Sequence, residues 1–466
     1  MARRFALFSG LAILILAGFF GFAAWTERTR EPPMTQVELI ELSRGLFSRD
    51  YTARTAALET VGARGDTDMV AALIMALRYM RDANHEIAAA LEGLTGEELG
   101  TDWKAWMIWH EIHPEIEPFE RFDVLKSDML ATIDQDYRTF IYEGVARDIR
   151  IEEVVWGGVP ARDGIPALNY PTQIEPADAD YMNADDLVFG ISIDGDTRAY
   201  PLRIMNWHEM FNDTVGGVDL ALAYCTLCGS GILYETRLEG RDAPIVFGSS
   251  GLLYRSNKLM FDPETDSLWN QFTGQPVMGP LTGSGLELKT RPVVITSWEN
   301  WLGAHPETTV LSLATGHRRD YDPGAVYGDY FGSDKLMFPA ALEDPVLMAK
   351  DYVFGLTVTG AQKAWALSAF EGGAVINDRV DDLDVVLIGD AATRTVRAFE
   401  ADGRKFARVA ARDDVVVENG TDTMWEVTEE ALIGPSGERL RRQAGHIAYW
   451  FGWNGFRGDT DLYEAR

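Results

Sequence analysis

The second half of the chain is dominated by short runs in which apolar and polar side chains alternate. Val218–Tyr224 alternates with period two, which predicts a strand with one buried face. Ile191–Tyr200 has Asp194 and Gly195 at its centre and predicts a hairpin of two antiparallel strands. Because turns rich in Gly and Asp separate such runs, we expect a mainly β fold of the α+β class in this part of the chain.

The part of the chain before these strands shows a helical pattern over residues 36–115. Leu73 and Leu77 are four positions apart, so they would lie on one apolar face of a helix. Two helical runs flank Gly62–Thr67, and together they resemble a single HEAT-type helical pair. We assign this small helical region to docking or packing. Residues 149–185, which follow it, are interpreted as an ordered connector rich in Gly and Pro.

An uncharged stretch of 21 residues, Phe5–Trp25, precedes the helical region. That length spans a bilayer as a helix, and Arg3 and Arg4 stand before it as in a signal sequence. We interpret residues 1–30 as an uncleaved signal anchor. This transmembrane helix would hold the protein in the inner membrane, with its body exported to the periplasm. A cleaved signal peptide is the alternative, which the poor cleavage site Gly-Phe-Ala-Ala-Trp disfavours.

An internal repeat organises the rest of the chain. The segment DDLVFGISIDGDTRAYPL starts at Asp185 and matches KDYVFGLTVTGAQKAWAL, which starts at Lys350, at an offset of 165 residues. The same offset pairs VDLALAY with LDVVLIG, whereas Trp301 and Trp453 correspond at an offset of 152 residues. Shared composition does not produce an ordered series of matches, so the series indicates a tandem duplication.

The patterns together predict four segments of the chain. They are a signal anchor at 1–30, a HEAT-like helical region at 36–115, a β-rich repeat at 149–310 that includes the connector, and a second β-rich repeat at 347–462. We expect the two repeats to pack around a pseudo-two-fold axis, each with one minor helix.

Both cysteines of the chain belong to one Cys-x-x-Cys motif, formed by Cys225 and Cys228 directly after the predicted strand at Val218–Tyr224. His208 lies upstream in a short predicted helix or turn. Two thiols and an imidazole at neighbouring element ends would make three metal ligands. The motif also permits a redox-active dithiol or a structural disulfide, and these alternatives stay open.

The second repeat supplies an internal comparison for this motif. At the offset of 165 residues, the positions that correspond to His208, Cys225 and Cys228 are Gly373, Asp390 and Thr393. The fold therefore does not require the three candidate ligands, which favours a functional role for them. The second repeat contains His446 in GHIAYWFGW, where the first repeat has nothing comparable. This histidine either completes the metal site at a seam between the repeats or belongs to an aromatic core.

Four motifs, NWHEMFNDTVGG, YCTLCGSG, GSSGLLYRSNKLMFDPETDSLWNQFTG and HIAYWFGW, resemble those of a widespread prokaryotic family catalogued only as a domain of unknown function. The resemblance covers residues 154–460, and its members are often exported or membrane-anchored. It implies a site at the motif residues but no settled activity. The family more often has Pro where Thr226 stands and Val where Ser249 stands, and neither difference removes a candidate ligand.

The same motifs contain further candidates for the site. Met260 would be a thioether ligand, which favours copper, or else a core residue. The polar and aromatic candidates for a substrate cleft are Glu209, Tyr254, Ser256, Asn257, Trp269 and Gln271. Residues 316–331, between the repeats, form an irregular loop rich in Tyr. We interpret this loop as a lid or binding loop, or as an inert crossover.

The formal net charge of −30 argues against nucleic acid as a partner, because a nucleic-acid interface needs a basic face. Our preferred hypothesis is a copper-dependent oxidoreductase or copper-handling protein of the cell envelope, with zinc as the second metal. The alternative is a metal-free envelope binding module whose Cys-x-x-Cys motif is a structural or redox disulfide. The substrate and the presence of enzymatic activity stay open.

Overall fold

The computed structural model describes residues 33–162, 164–342, 346–410 and 412–464. The predicted anchor at 1–30 lies outside these ranges. Within them, no helix is both long and apolar enough to cross a membrane. The predicted fold class is confirmed at a coarse level, because the chain is mainly β, with 31% of residues in strands and 26% in helices.

Six helices form the N-terminal part of the structure. Thr35, Asp50 and Asp102 each accept a hydrogen bond from a backbone N–H in the first turn and so begin three of these helices. Gly65 and Gly96 adopt the left-handed conformation and end two of them. The six helices are α1 (Gln36–Leu46), α2 (Tyr51–Arg64), α3 (Val70–Tyr79), α4 (Asn84–Thr95), α5 (Trp103–Glu111) and α6 (Phe122–Ala131).

The strands that follow α6 fall into two series, each with its own short helices. The first series contains β1 (Val154–Trp156), β2 (Leu168–Asn169), β3 (Gln173–Ile174), β4 (Leu187–Ile193), β5 (Asp196–Pro201), α7 (Leu202–His208), β6 (Met210–Val215), β7 (Val218–Cys225), β8 (Ser230–Glu235), β9 (Gly248–Tyr254), β10 (Asn257–Phe261), β11 (Leu268–Asn270), β12 (Pro276–Met278), β13 (Thr290–Arg291), β14 (Val294–Ser297), α8 (Trp298–Ala304) and β15 (Thr309–Leu311). Helix α9 (Gly328–Phe331) then lies in the loop between the two series.

The second series completes the described chain. It contains β16 (Tyr352–Val358), β17 (Ala361–Ala366), β18 (Ala374–Val380), β19 (Leu383–Asp390), β20 (Thr395–Glu400), β21 (Phe406–Val409), β22 (Arg412–Glu418), β23 (Thr423–Val427), β24 (Ala431–Ile433), β25 (Arg439–Gln443), β26 (His446–Tyr449), α10 (Trp450–Phe456) and β27 (Asp461–Leu462).

The order of strands in the sheets is the same in both series. The order β14-β4-β5-β15 occurs again as β26-β16-β17-β27, with the outer β15 and β27 parallel to their neighbours. The orders β13-β8-β7-β6 and β9-β10-β11-β12 likewise occur again as β25-β20-β19-β18 and β21-β22-β23-β24. In the second series these last two groups join into one eight-stranded sheet through the pairing of β24 with β25. Each series therefore builds the same unit.

Equivalent side-chain contacts accompany the equivalent strands. Trp301 Nε1 donates to Thr308 Oγ1 at 2.9 Å, and Trp453 Nε1 donates to Thr460 Oγ1 at 2.9 Å. Each indole lies flat against a glycine of the central hairpin, where a Cβ atom would come within 2.3 Å of Trp301 or 2.1 Å of Trp453. The ring and the bare backbone therefore fit together only because the strand lacks a side chain at that position.

The two units contact each other reciprocally. Strand β26 packs beside β8, and β14 packs beside β20. At the first contact, the backbone N–H of Tyr449 donates to the carbonyl oxygen of Cys228 at 2.7 Å. At the second, Thr395 Oγ1 donates to Thr296 Oγ1 at 2.9 Å. The turn that carries the cysteines thus lies at the seam between the two units.

Candidate functional site

The two cysteines lie in the tight turn between β7 and β8. Cys225 is the last residue of β7 and pairs with Ser230, the first residue of β8. The backbone N–H of Cys228 donates to the carbonyl oxygen of Cys225 at 3.2 Å and closes the turn. Gly229 has a φ of 57°, and a Cβ atom there would lie 2.8 Å from the ring of Tyr352. Both observations require glycine after the second cysteine.

The Sγ atoms of Cys225 and Cys228 lie 3.3 Å apart, and both thiols are free. Cys225 is 2% exposed and Cys228 is fully buried. A disulfide has a sulfur–sulfur distance of about 2.05 Å, so small side-chain rotations would suffice to form one. The pair is therefore placed for reversible oxidation.

The two thiols differ in acidity although they are neighbours. Burial disfavours the Cys225 thiolate, but the Cys228 thiol and the backbone N–H of Lys258 hydrogen-bond to its sulfur, and together they lower the pKa of Cys225. Burial and the adjacent Cys225 raise the pKa of Cys228 well above its usual range. Cys225 is therefore the better nucleophile, and Cys228 keeps its proton.

Cys225 opens into a pocket with an empty volume of about 360 Å³. Glu209, Lys258 and Tyr327 also line this pocket and give it a polar end. Its remaining wall is formed mainly by the apolar residues Val159, Ile165, Leu227, Leu252 and Leu253. A small substrate with one apolar side would therefore meet the Cys225 sulfur next to a carboxylate and an ammonium group.

Glu209 and Lys258 form the charged part of this pocket. Glu209 follows α7 directly and adopts a φ of 54°, which turns the chain from the helix into β6. Lys258 Nζ donates to the backbone carbonyl oxygen of Glu209 at 2.9 Å and lies 3.7 Å from its Oε2. Thr226, inside the cysteine turn, donates its hydroxyl to Glu209 Oε1 at 2.8 Å. The ion pair is thus joined to the turn by a hydrogen bond.

His208 does not join the cysteines, which corrects the expected set of three metal ligands. Its Nδ1 lies 2.8 Å from the carbonyl oxygen of Pro166, and its Nε2 lies 2.6 Å from the hydroxyl oxygen of Tyr321. Burial lowers the pKa of His208 to about 4, so the ring is neutral near pH 7. Nδ1 then donates and Nε2 accepts, and neither lone pair is left for a metal. Among the described residues, no three His, Cys, Asp or Glu side chains come together as metal ligands.

The two further ligand candidates have apolar surroundings. His446 packs between Phe272 and Trp453, with ring centroids 5.7 and 5.3 Å away. Burial and the nearby Arg457 lower the pKa of His446 to about 3, so this ring is also neutral. Met260 is fully buried in β10, within the same hydrophobic core as the cysteines.

The candidate cleft residues divide into two groups. Asn257 Nδ2 lies 3.4 Å from Cys228 Sγ and donates to Gln271 Oε1 at 2.7 Å, and the carbonyl oxygen of Ser256 lies 3.5 Å from the same sulfur. These three residues surround Cys228, as Glu209 surrounds Cys225. Trp269 instead donates to Asp262 at 2.9 Å, and Tyr254 faces the ring of Phe456.

Three functional residues were not among the sequence candidates. Lys258 stands between apolar residues in β10, and a charged residue inside a buried strand is a signal that deserved weight. Tyr327 and Tyr330 belong to the loop at 316–331, which packs over the cysteine turn. Tyr330 donates its hydroxyl to the carbonyl oxygen of Leu227 at 2.6 Å. The loop therefore covers the site, in agreement with its interpretation as a binding loop or lid.

A family model described as a protein of unknown function (DUF3179) matches residues 162–460. The match covers more than half of the 466 residues, so the chain belongs to this family. The resemblance found in the sequence motifs is thereby confirmed. No curated protein and no solved structure gives a significant match. Helices α1–α6 and strand β1 lie outside the matched residues.

Proposed function

We propose that this DUF3179 protein uses Cys225 and Cys228 as a redox-active dithiol, which exchanges electrons with a small disulfide substrate. The observation that carries the proposal is the geometry of the two sulfur atoms. They lie 3.3 Å apart, and hydrogen bonds lower the pKa of Cys225 while burial raises that of Cys228. Such a division of acidity suits one cysteine to attack and the other to resolve the intermediate.

The exchange proceeds in two balanced steps. The Cys225 thiolate attacks one sulfur of the substrate disulfide, forms a mixed disulfide and expels the second substrate sulfur as a thiolate. The Cys228 thiol then loses its proton and attacks the Cys225 sulfur. This step forms the Cys225–Cys228 bond and expels the first substrate sulfur, which takes up the proton. Two electrons pass from the protein to the substrate, and an external dithiol returns them.

The pocket supports this chemistry beside Cys225. The buried ammonium group of Lys258 stabilises negative charge on the attacking sulfur. The carboxylate of Glu209, next to the Cys228-bearing turn, is a candidate proton acceptor for the resolving step. The second unit keeps the same turn but has Asp390 and Thr393 in place of the cysteines, and Asp414 in β22 corresponds to Lys258 in β10. We propose that a duplicated unit kept this chemistry in its first copy only.

Trapping of the mixed disulfide tests the proposal. Full-length protein with Cys228→Ser is incubated with hydroxyethyl disulfide, and the intact mass is measured. We expect one adduct on this variant, because the resolving thiol is absent. Cys225→Ser is the matched control and should remain unmodified, since the Cys228 thiol is buried and protonated. The wild-type protein should lose both thiol protons and retain no adduct.

Two results would overturn the dithiol proposal. Equal modification of the two single variants would show that the thiols do not divide the roles of attack and resolution. Failure of the wild-type protein to form an internal disulfide under conditions that modify Cys228→Ser would show that the pair does not cycle.

Copper binding is the second candidate function, and the paired sulfurs favour it. Two adjacent, buried thiolates suit Cu(I), which prefers soft ligands, even without His208. Zinc is less well served, because structural zinc sites use four ligands. Anaerobic titration with Cu(I) against a competing chelator separates the candidates. One tightly bound ion per chain, lost in both single cysteine variants, would favour copper handling over thiol exchange.

We also propose that the protein is anchored in the inner membrane through residues 1–30 and that its body is exported to the periplasm. The uncharged stretch Phe5–Trp25 supports this location. Fractionation of cells that express the full chain and a chain without residues 1–30 provides the test. The full chain should remain with the membrane after extraction at high salt, and the shortened chain should not.

A further inference from the structure

A second pocket lies outside the residues that the family model matches. It is enclosed by α3, α5, α6 and β1 and has an empty volume of about 450 Å³. Apolar and aromatic side chains form most of its wall, among them Ile74, Trp103, Met107, Met129 and Val155. The pocket therefore offers a largely apolar chamber between the helical region and the first sheet.

Two cationic side chains point into this chamber. Lys126, on α6, is 4% exposed, and its Nζ donates to the backbone carbonyl oxygen of Glu152 at 3.1 Å. Arg78, on α3, donates to the carbonyl oxygen of Trp156 at 2.7 Å, and its guanidinium lies 4.5 Å from the ring centre of Trp103. Their recorded hydrogen-bond acceptors are thus neutral carbonyl groups.

No carboxylate in the described part of the chain forms an ion pair with Lys126 or Arg78. The nearest acidic side chains are already occupied by other arginines. Glu152 Oε1 lies 2.8 Å from Arg150 Nε, and Glu153 Oε2 lies 2.6 Å from Arg255 Nε. Two neighbouring cations therefore face one apolar chamber without a counterion, in a chain whose net charge is −30.

Such an arrangement is costly in the empty pocket. Burial without a partner disfavours the charged form of a lysine, and a nearby like charge adds to the effect. Burial accordingly lowers the pKa of Lys126 to about 7, and Arg78 lowers it further. An anion in the chamber would remove both penalties at once. A purely structural lysine would more often be paired or extend to the solvent.

We propose that this chamber binds a small amphiphilic anion of the carboxylate class, with its carboxylate between Lys126 and Arg78 and its hydrocarbon part against the apolar wall. Lysine and arginine supply the charge, and the planar guanidinium also suits two-point recognition of a carboxylate. The enclosed apolar surface favours a short chain or a single ring over a purely ionic ligand. The site is independent of the cysteine pocket.

Isothermal titration of the full-length protein with hexanoate, octanoate and decanoate tests the proposal. We expect the affinity to rise about fourfold for each added methylene until the chamber is filled. Lys126→Met keeps the length and apolar character of the side chain and should weaken octanoate binding at least about tenfold. Lys104→Met is the matched control, because Lys104 is exposed on the neighbouring α5 and should leave binding unchanged.

Several results would overturn the proposal. Absence of binding for all three carboxylates would do so. Equal binding of octanoate and octyltrimethylammonium would show an apolar chamber without charge recognition. Unchanged octanoate affinity in a folded Lys126→Met protein would remove Lys126 from the site, and Arg78→Met then reports on the second cation. Thermal unfolding of each variant establishes that it is folded.

Discussion

His208 Nε2 lies 2.6 Å from the hydroxyl oxygen of Tyr321, and that hydroxyl lies 2.7 Å from Thr315 Oγ1. This chain of hydrogen bonds ties the end of α7 to the start of the loop that covers the cysteine turn. The next residue, Glu209, enters the pocket beside Cys225. His208 is therefore a positioning residue, which holds the loop and the carboxylate-bearing backbone together.

The buried neutral state of His208 predicts an acid-sensitive fold. Burial lowers its pKa from 6.5 to about 4, so the unfolded chain binds a proton at a higher pH than the folded chain does. The stability contributed by this group is complete above about pH 6.5 and is lost as the pH falls toward 4. The loss is at most about 3 kcal/mol, and less where water screens the ring.

Urea unfolding at a series of pH values measures this effect. His208→Gln, which does not titrate, should show a flatter dependence of the free energy of unfolding on pH than the wild-type protein. His85→Gln replaces an exposed histidine on α4 and serves as the control, with an unchanged slope. Identical slopes for His208→Gln and the wild-type protein would contradict the assignment.

Much of the β fold could be anticipated from the sequence because the same pattern occurs twice. The offset of 165 residues pairs Val218–Cys225 with Leu383–Asp390, and these are β7 and β19, which occupy equivalent places in their sheets. Alternation of apolar and polar residues reports the buried face of a strand directly. The boundaries of the four predicted segments stay predictions.

The composition of the site was harder to anticipate than the turn that carries it. His208 and Glu209 are adjacent in sequence, yet the left-handed φ of Glu209 directs the two side chains to different surroundings. Lys258 reaches the cysteines only because the sheet with β10 packs on the sheet with β7. Local patterns contain neither the direction of one side chain at a helix end nor the packing of two sheets.

The low pKa of Cys225 should depend on the hydrogen bond from Cys228. Cys228→Ser retains a hydroxyl that can donate to the Cys225 sulfur, whereas Cys228→Ala removes the donor. We therefore expect the pKa of Cys225 to be higher in Cys228→Ala than in Cys228→Ser. Ultraviolet absorbance of the thiolate as a function of pH measures the difference. Equal titration curves for the two variants would show that the hydrogen bond does not set the acidity.

The close contacts between glycine and tryptophan predict matched effects in the two units. Gly190→Ala would place a Cβ atom 2.3 Å from Trp301, and Gly355→Ala would place one 2.1 Å from Trp453. Because both rings are almost fully buried, each substitution should lower the free energy of unfolding by about 3 kcal/mol. Gly303→Ala is the control, since an added Cβ there meets no atom within 4 Å. A neutral effect of either hairpin substitution would contradict the packing.

The charged pair in the pocket should act on Cys225 in opposite directions. Lys258→Met removes a positive charge near the sulfur, so the pKa of Cys225 should rise and its exchange with a small disulfide at neutral pH should slow by roughly tenfold. Glu209→Gln removes a negative charge that raises the pKa of Cys225, so the thiolate fraction should increase. The rate of thiol–disulfide exchange as a function of pH measures both shifts.

Stability must be followed alongside these rates, because breaking a buried ion pair costs about 3–5 kcal/mol. The double variant Glu209→Gln/Lys258→Met leaves no unpaired charge and should recover much of that loss. Its Cys225 pKa should fall between those of the two single variants. Shifts of the same sign in both single variants would show that the substitutions act through loss of structure. Opposite signs with a recovered double variant would establish that the pair tunes the attacking sulfur electrostatically.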